Sequence, residues 1–381
     1  GYRDAFQVRM LPDDADPMDV RYNVINWVHR STRGWSYGSS IVDPRTGEIL
    51  KGHVLLGSLR VRQDFMIAQG LAGIFENGDE DPAPLTELAL ARLRQLAAHE
   101  VGHTLGLAHN FAASYNDRAS VMDYPHPYVQ LKNGQIDFSE AYDTGIGEWD
   151  KRAIIYGYQD FPDNVSESDG LANIVRETLD MGLRYISDQD ARPAGGAHPL
   201  AHLWDNGPDP VSELERMTQV RRHAMQRFGL RTISEGTPLA YLEQVLVPLY
   251  LGHRYQVEAV AKLIGGYSYT YAVRGDNQEA IAPVPPDQQR RAIAALLKTL
   301  SPDFLKMNLD MIKDIPPQPM GYRRHRELFK TWTSPVFDPM AAAEGSVNHT
   351  LSFMLHPQRL ARIRNVAAYL PEHVQLTEYL D

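Results

Sequence analysis

Residues 96–110 read LAAHEVGHTLGLAHN and place three of the chain's 14 histidines within eleven residues. This spacing constrains the backbone as well as the chemistry. Residues four apart on a helix differ by about 40° in direction, so a helix through His99 and His103 projects both imidazoles from one face. Glu100 then lies about 100° round from His99 and about 60° from His103, beside an ion held by the pair. Gly106 suits the position just past a helix end, where a left-handed backbone is least strained for glycine. A chain that turns out of its helix there brings His109 back towards the same ion three residues later.

Three neutral imidazoles would leave a bound ion its full charge. A zinc site with three protein ligands keeps one position open for water, whose pKa falls to about 7. Glu100 stands where a general base should, able to take a proton from that water and deliver it to a leaving amine. HExxH alone is a weak pattern that ordinary helices sometimes contain. Its extension to HExxHxxGxxH makes three histidines solvating a helix end by accident a poor explanation. The chain has no cysteine, which excludes disulfides, thiolate zinc sites and cysteine nucleophiles together. Any metal must therefore use His, Asp, Glu or Tyr.

A length of 381 residues suggests two or three units. Apolar residues at 43% and charged residues at 23% are ordinary for a globular protein with a large core. The formal charge of −10, with 48 acidic against 38 basic residues, argues against a nucleic-acid partner. No apolar run reaches the roughly 18 residues needed to cross a bilayer, so no transmembrane segment is expected. The chain opens on Gly1-Tyr2-Arg3-Asp4, without an initiator Met or a signal peptide, and reads as a piece of something longer.

Val20–Val28 and Ile49–Leu59 are rich in β-branched and apolar residues and read as strands, with Asp43-Pro44-Arg45-Thr46-Gly47 as a turn between them. Pro82-Ala83-Pro84 opens a helix predicted to run to about Leu105. After residue 160 helical periodicity dominates, as in Val211-Leu214-Met217-Val220 and Leu239-Leu242-Val245-Leu246-Leu249. The expected organisation is an α+β unit over residues 1–160 and a mostly helical extension of unknown role over 161–381.

The motif formed by His99, Glu100, His103, Gly106 and His109 resembles that of the metzincin clan of zinc metalloproteases. A second likeness is Ser120-Val121-Met122-Asp123-Tyr124-Pro125, where Met122 stands for the methionine of the tight turn beneath the zinc. Tyr124 matches the tyrosine that astacin-like and serralysin-like metzincins place near the metal, as a ligand or as a hydrogen-bond donor to the oxyanion. A third is Gly147–Tyr158, similar to the helix that closes the lower half of metzincin catalytic domains. Asn110 departs from the residues that mark the best-known subfamilies after the third histidine.

The whole looks most like a large bacterial family of zinc-dependent metalloproteases whose metzincin-like region continues into a long helical segment. That resemblance implies a small mixed sheet with an active-site helix, one catalytic Zn²⁺ and an exported location. It also implies a peptide or protein substrate bound as an added strand on an exposed sheet edge, for which residues 50–59 are the candidate, with an interior strand as the alternative reading because Val54-Leu55-Leu56 is apolar on both faces. In that clan the catalytic domain starts with a strand and a long helix. Residues 8–20 are too polar and proline-broken for such a helix, so those elements are expected before Gly1.

The leading functional expectation is an endopeptidase using metal-activated water. One alternative is a non-catalytic zinc-containing binding or scaffold module of a larger exported protein. Another keeps the enzyme and replaces His109 by a downstream glutamate such as Glu140. His198 and His202 repeat the four-residue spacing without a glutamate between them, beside the flexible Gly195-Gly196. The acidic loop Glu76–Asp81 suits a solvated surface better than a Ca²⁺ site.

Overall fold

The computed structural model describes residues 2–31 and 34–380. Its first layer is a three-stranded sheet made of β1 (Val24–Val28), β2 (Tyr37–Val42) and β3 (Ile49–Gly57) in the order β1-β3-β2. The expected turn joins β2 to β3 as an antiparallel hairpin. Asp43 accepts the Gly47 N–H at 2.8 Å, and Gly47 takes φ +77. Strand β1 runs parallel to β3, so the sheet is mixed.

Strand β3 is the central strand, which corrects the expectation that residues 50–59 form the substrate-binding edge. Val54 and Leu56 are buried on one of its faces, and His53 and Leu55 are half-buried on the other. The free edges belong to β1 and β2. YGSSIV, the sequence of β2, carries too few apolar residues to announce itself as a strand.

Strand β3 stops at Gly57 because Ser58 begins helix α1 (Ser58–Ala72). The sequence SLRVRQDFMIAQGLA hides this helix, since its buried face includes the polar Asp64 and Gln69 beside Met66 and Leu71. Helix α2 (Ala83–Thr104) follows the prediction closely, with Pro84 in its first turn. It packs beside α1 and beneath β2 and β3, burying Leu85, Leu88, Leu96, His99 and Glu100. Gly106 takes φ +88, and the Gly106 and Leu107 N–H groups bond back to His103 and Gly102 at 3.0 and 3.1 Å. The anticipated closing helix is α3 (Glu148–Tyr158).

Beyond residue 160 the chain is mostly helical, as expected. Its elements include α4 (Glu167–Asp180), the single turn α5 (Asp188–Ala191), α6 (Pro210–Arg227), α7 (Tyr241–Tyr250), α8 (Arg254–Ala261) and α9 (Pro286–Thr299), followed by Pro339–Met354 and Pro357–Tyr369. The starts are set by side-chain caps: Ser166 accepts from Asp169 N, Asp209 from Val211 N and Asp338 from Ala341 N. One hydrophobic core joins Met66 and Leu71 of α1 and Val129 to Val220, Leu242, Val245 and Leu249. Residues on both sides of position 160 thus share it. At roughly 1.5–3 kcal/mol for each fully buried aliphatic side chain, this shared core is a large stabilising term. The fold class is α+β, and among the described residues no helix is long and apolar enough to cross a membrane.

Candidate metal centre

Helix α2 presents His99 and His103 on one face, and the turn at Gly106 returns His109 to them. The three Nε2 atoms converge: His103 Nε2 lies 3.1 Å from that of His99 and 3.2 Å from that of His109. Each ring is oriented from its far side. His99 Nδ1–H donates to the Val121 carbonyl at 2.7 Å, His103 Nδ1–H to Leu107 O at 2.8 Å, and His109 Nδ1–H to Asp188 Oδ2 at 2.8 Å. Because carbonyls and a carboxylate only accept, these bonds place the protons on Nδ1 and leave three Nε2 lone pairs facing one another.

Three facing lone pairs repel, and a cation between them removes the repulsion. Zinc–nitrogen bonds of about 2.0–2.1 Å at a tetrahedral angle require nitrogens about 3.3 Å apart, close to the observed spacing. Burial and the neighbouring imidazoles hold His99 well below the usual histidine range, and burial lowers His103 as well. Both keep the neutral form that a metal ligand needs. Among the described residues, His99, His103 and His109 are the group able to hold a metal ion. Glu140 is outside it and accepts instead from Gln130 Nε2 at 2.9 Å.

Glu100 is 4% exposed, and among the described residues no basic side chain forms an ion pair with it. Burial pushes its carboxyl up to about 7, opposed by a backbone hydrogen bond from Gly38 on β2 and by the charge of Arg92. Gly38 sits so tightly against the Glu100 backbone that a Cβ there has no room. This contact brings β2 against Glu100.

Met122 is fully buried beneath the histidines, its sulfur filling the space that a side chain at Gly102 would need. Its carbonyl accepts the Asn110 N–H at 3.1 Å. The turn is fixed from α3, where Asp150 accepts from Ser120 Oγ and from Val121 N at 2.5 and 2.8 Å. Tyr124 places its ring 4.8 Å from His109 and 5.3 Å from His99. Burial raises its phenol above the usual tyrosine value, so the hydroxyl keeps its proton at neutral pH.

The sequence reading missed the residues that arrive from beyond position 160. Asp188, at the start of α5, accepts from His109 and, on its other oxygen, from Arg192 Nε. Arg192 Nη2 donates to Tyr124 Oη at 3.2 Å, which closes a chain of contacts from ligand to phenol. Asn110 is fully buried, donates to Arg184 O at 2.8 Å and accepts from Ile186 N at 3.2 Å. Trp204 covers Tyr124 with ring centroids 5.2 Å apart. Only Asn110 left a signal, as an unusual residue after the third histidine. The second histidine pair forms no centre: His198 donates to Tyr269 O and accepts from Leu200 N, and His202 is buried with its Nε2 4.0 Å from Glu258 Oε2.

No curated protein and no solved structure matches the chain. A family model described as Met-zincin matches residues 81–381, from the start of α2 through the helical extension. That span contains all three converging imidazoles, Glu100, Met122 and the residues of the extension that brace them. The chain belongs to the Met-zincin family and has a zinc-metallopeptidase-like fold.

Proposed function

We propose that the chain is a zinc-dependent peptidase, acting as an endopeptidase with Glu100 as general base and His99, His103 and His109 as metal ligands. The observation that carries this reading is Glu100 itself, a buried carboxylate beside three converging Nε2 atoms that, among the described residues, forms no ion pair with a basic side chain. A structural module gains nothing from such a costly group, whereas a proton acceptor works best with a pKa near the working pH.

Zinc, when bound, supplies an acidified water and a Lewis acid for the scissile carbonyl. Glu100 holds the proton taken from the attacking water and delivers it to the departing amine. The Tyr124 hydroxyl donates to the developing oxyanion, with Arg192 holding the phenol. The free edge of β2, seated on α2 at Gly38, offers backbone groups to an extended peptide, so a substrate strand lies antiparallel there. Main-chain pairing of this kind supports cleavage within a chain and makes peptides or proteins the substrate class. An exported, bacterial setting accords with this reading and is part of the proposal.

Glu100→Gln tests the assignment. The variant is expected to bind one equivalent of zinc by elemental analysis and to lose about 10²–10⁴-fold in peptide turnover. Undiminished turnover would overturn the mechanism, and a wild-type zinc-loaded chain that cleaves nothing in a peptide library would return the protein to a binding role.

A further inference from the structure

Beside Glu100 the surface opens into a pocket whose walls include Arg60, Arg92, Leu96, Tyr124 and Trp204. Arg92, Leu96 and Glu100 succeed one another at four-residue intervals, so the pocket follows α2 for about 12 Å from the general base. Its charged lining is the guanidiniums of Arg30, Arg60 and Arg92 and the Glu100 carboxylate. Arg60 occupies both oxygens of Asp64, a carboxylate with no solvent exposure. Arg92 is 3% exposed, donates to the neutral amide oxygen of Gln95 and has an Nε without a partner. Both guanidiniums lie over the Trp204 ring, 5.4 and 5.7 Å from its centroid. Arg60 is therefore paired, while Asp64 and Glu100 act on Arg92 only through space, inside a nearly dry wall. Burial and the adjacent Arg60 both disfavour the charge on Arg92. An uncompensated buried charge is strongly unfavourable unless an anion completes it.

Trp204 adds an independent sign. Its φ of +62 lies in the left-handed region, which a bulky residue rarely adopts and which is retained mainly where function demands it. The conformation is locked by its N–H donating to Tyr124 O at 2.7 Å and its carbonyl accepting from Gln256 Nε2 at 2.9 Å. The strained residue holds its ring between the phenol of the proposed reaction centre and the two guanidiniums.

We propose that this pocket receives a carboxylate of the substrate, with Arg92 as its ion partner and Trp204 as the wall that orients it; this rests on the peptidase reading above. A guanidinium fork matches a carboxylate in shape and charge, and among the described residues no carboxylate hydrogen-bonds Arg92, so the substrate would bring the one that does. The carboxylate is either an aspartate or glutamate side chain near the scissile bond or the free C-terminus of a short peptide.

The test measures calorimetric binding to the zinc-loaded Glu100→Gln chain and to the zinc-free wild type, which keeps Glu100, using matched peptides that carry either Glu or Gln at both positions flanking the scissile bond. Each is made with a free and with an amidated C-terminus. One carboxylate is expected to raise affinity by about 10- to 100-fold, and whichever does so names its source. Arg92→Met is expected to erase that gain, still bind the peptide lacking carboxylates, and melt no lower than its parent. Equal affinity for all four peptides overturns the proposal, as does a gain that survives Arg92→Met. Should that variant not fold, the four peptides on the unaltered pocket decide alone. Cleavage by wild type without carboxylate preference refutes the pocket and spares the peptidase; carboxylate preference without any cleavage does the reverse.

Discussion

Residues 83–124 and residues 184–204 build one centre in opposite ways. The first segment supplies the three converging imidazoles, Glu100 and Met122 from a helix, a turn and a loop close in sequence, so its geometry follows from local backbone rules. The second supplies Asp188, Arg192 and Trp204, whose contacts with His109 and Tyr124 span 68 to 80 residues of sequence. Neither is autonomous. The near segment holds donors that repel one another when no ion is bound, and the far segment orients those donors without touching the ion. Chemistry concentrated in a motif can thus depend for its alignment on a part of the chain that carries no motif.

The strongest way to break this comparison is to separate the two. A fragment ending at residue 160 loses the partners of Met66, Leu71 and Val129 in the shared core. It is expected to show no cooperative thermal transition by circular dichroism, and a sharp transition would show the near segment to be self-sufficient. His109→Ala comes next, because two imidazoles in place of three should abolish stoichiometric zinc binding. Unchanged zinc content would put a different third ligand at the site.

Asp188→Ala leaves all three ligands in place and removes the carboxylate behind one of them. Zinc affinity in a chelator competition is expected to fall about 10- to 100-fold. No change would limit the far segment to a packing role. Gly102→Ala probes the near segment alone, since its methyl meets the Met122 sulfur. Overpacking there should cost about 1–3 kcal/mol in denaturant unfolding.

The smallest effect is a pH dependence inside the helical extension. Burial pushes Glu258 up to about 7, above the ordinary glutamate value of about 4.3. A carboxyl with a raised folded-state pKa contributes stability that is complete below the unfolded value and is lost as pH rises through about 7. Between pH 5 and 8 the wild type should lose on the order of 1–2 kcal/mol more than Glu258→Gln. Parallel melting curves for the two proteins would contradict this.

Much of the centre was legible because its signals are periodic. Four-residue spacing, a glycine at a helix end and prolines at a helix start are statements about a few dihedral angles. The structure places α2, Gly106 and Met122 where they were expected. Helix α1 was hidden because Asp64 and Gln69 lie on its buried face, and β2 because Gly38, Ser39 and Ser40 carry no apolar pattern. The expected edge strand proved central, since apolar residues on both faces describe burial and say nothing about which neighbours pair with the strand.

What the sequence determined by itself is the donor set: three imidazoles, a glutamate beside them and a methionine loop to lie below. Local geometry alone brings such residues to one end of one helix. The tertiary structure decided which strand edge faces Glu100 and which carboxylate orients His109. It also set two guanidiniums under Trp204, only one of them paired with a carboxylate. Those pairings join residues with no spacing rule between them, and they form only when the shared core folds the extension back onto the site.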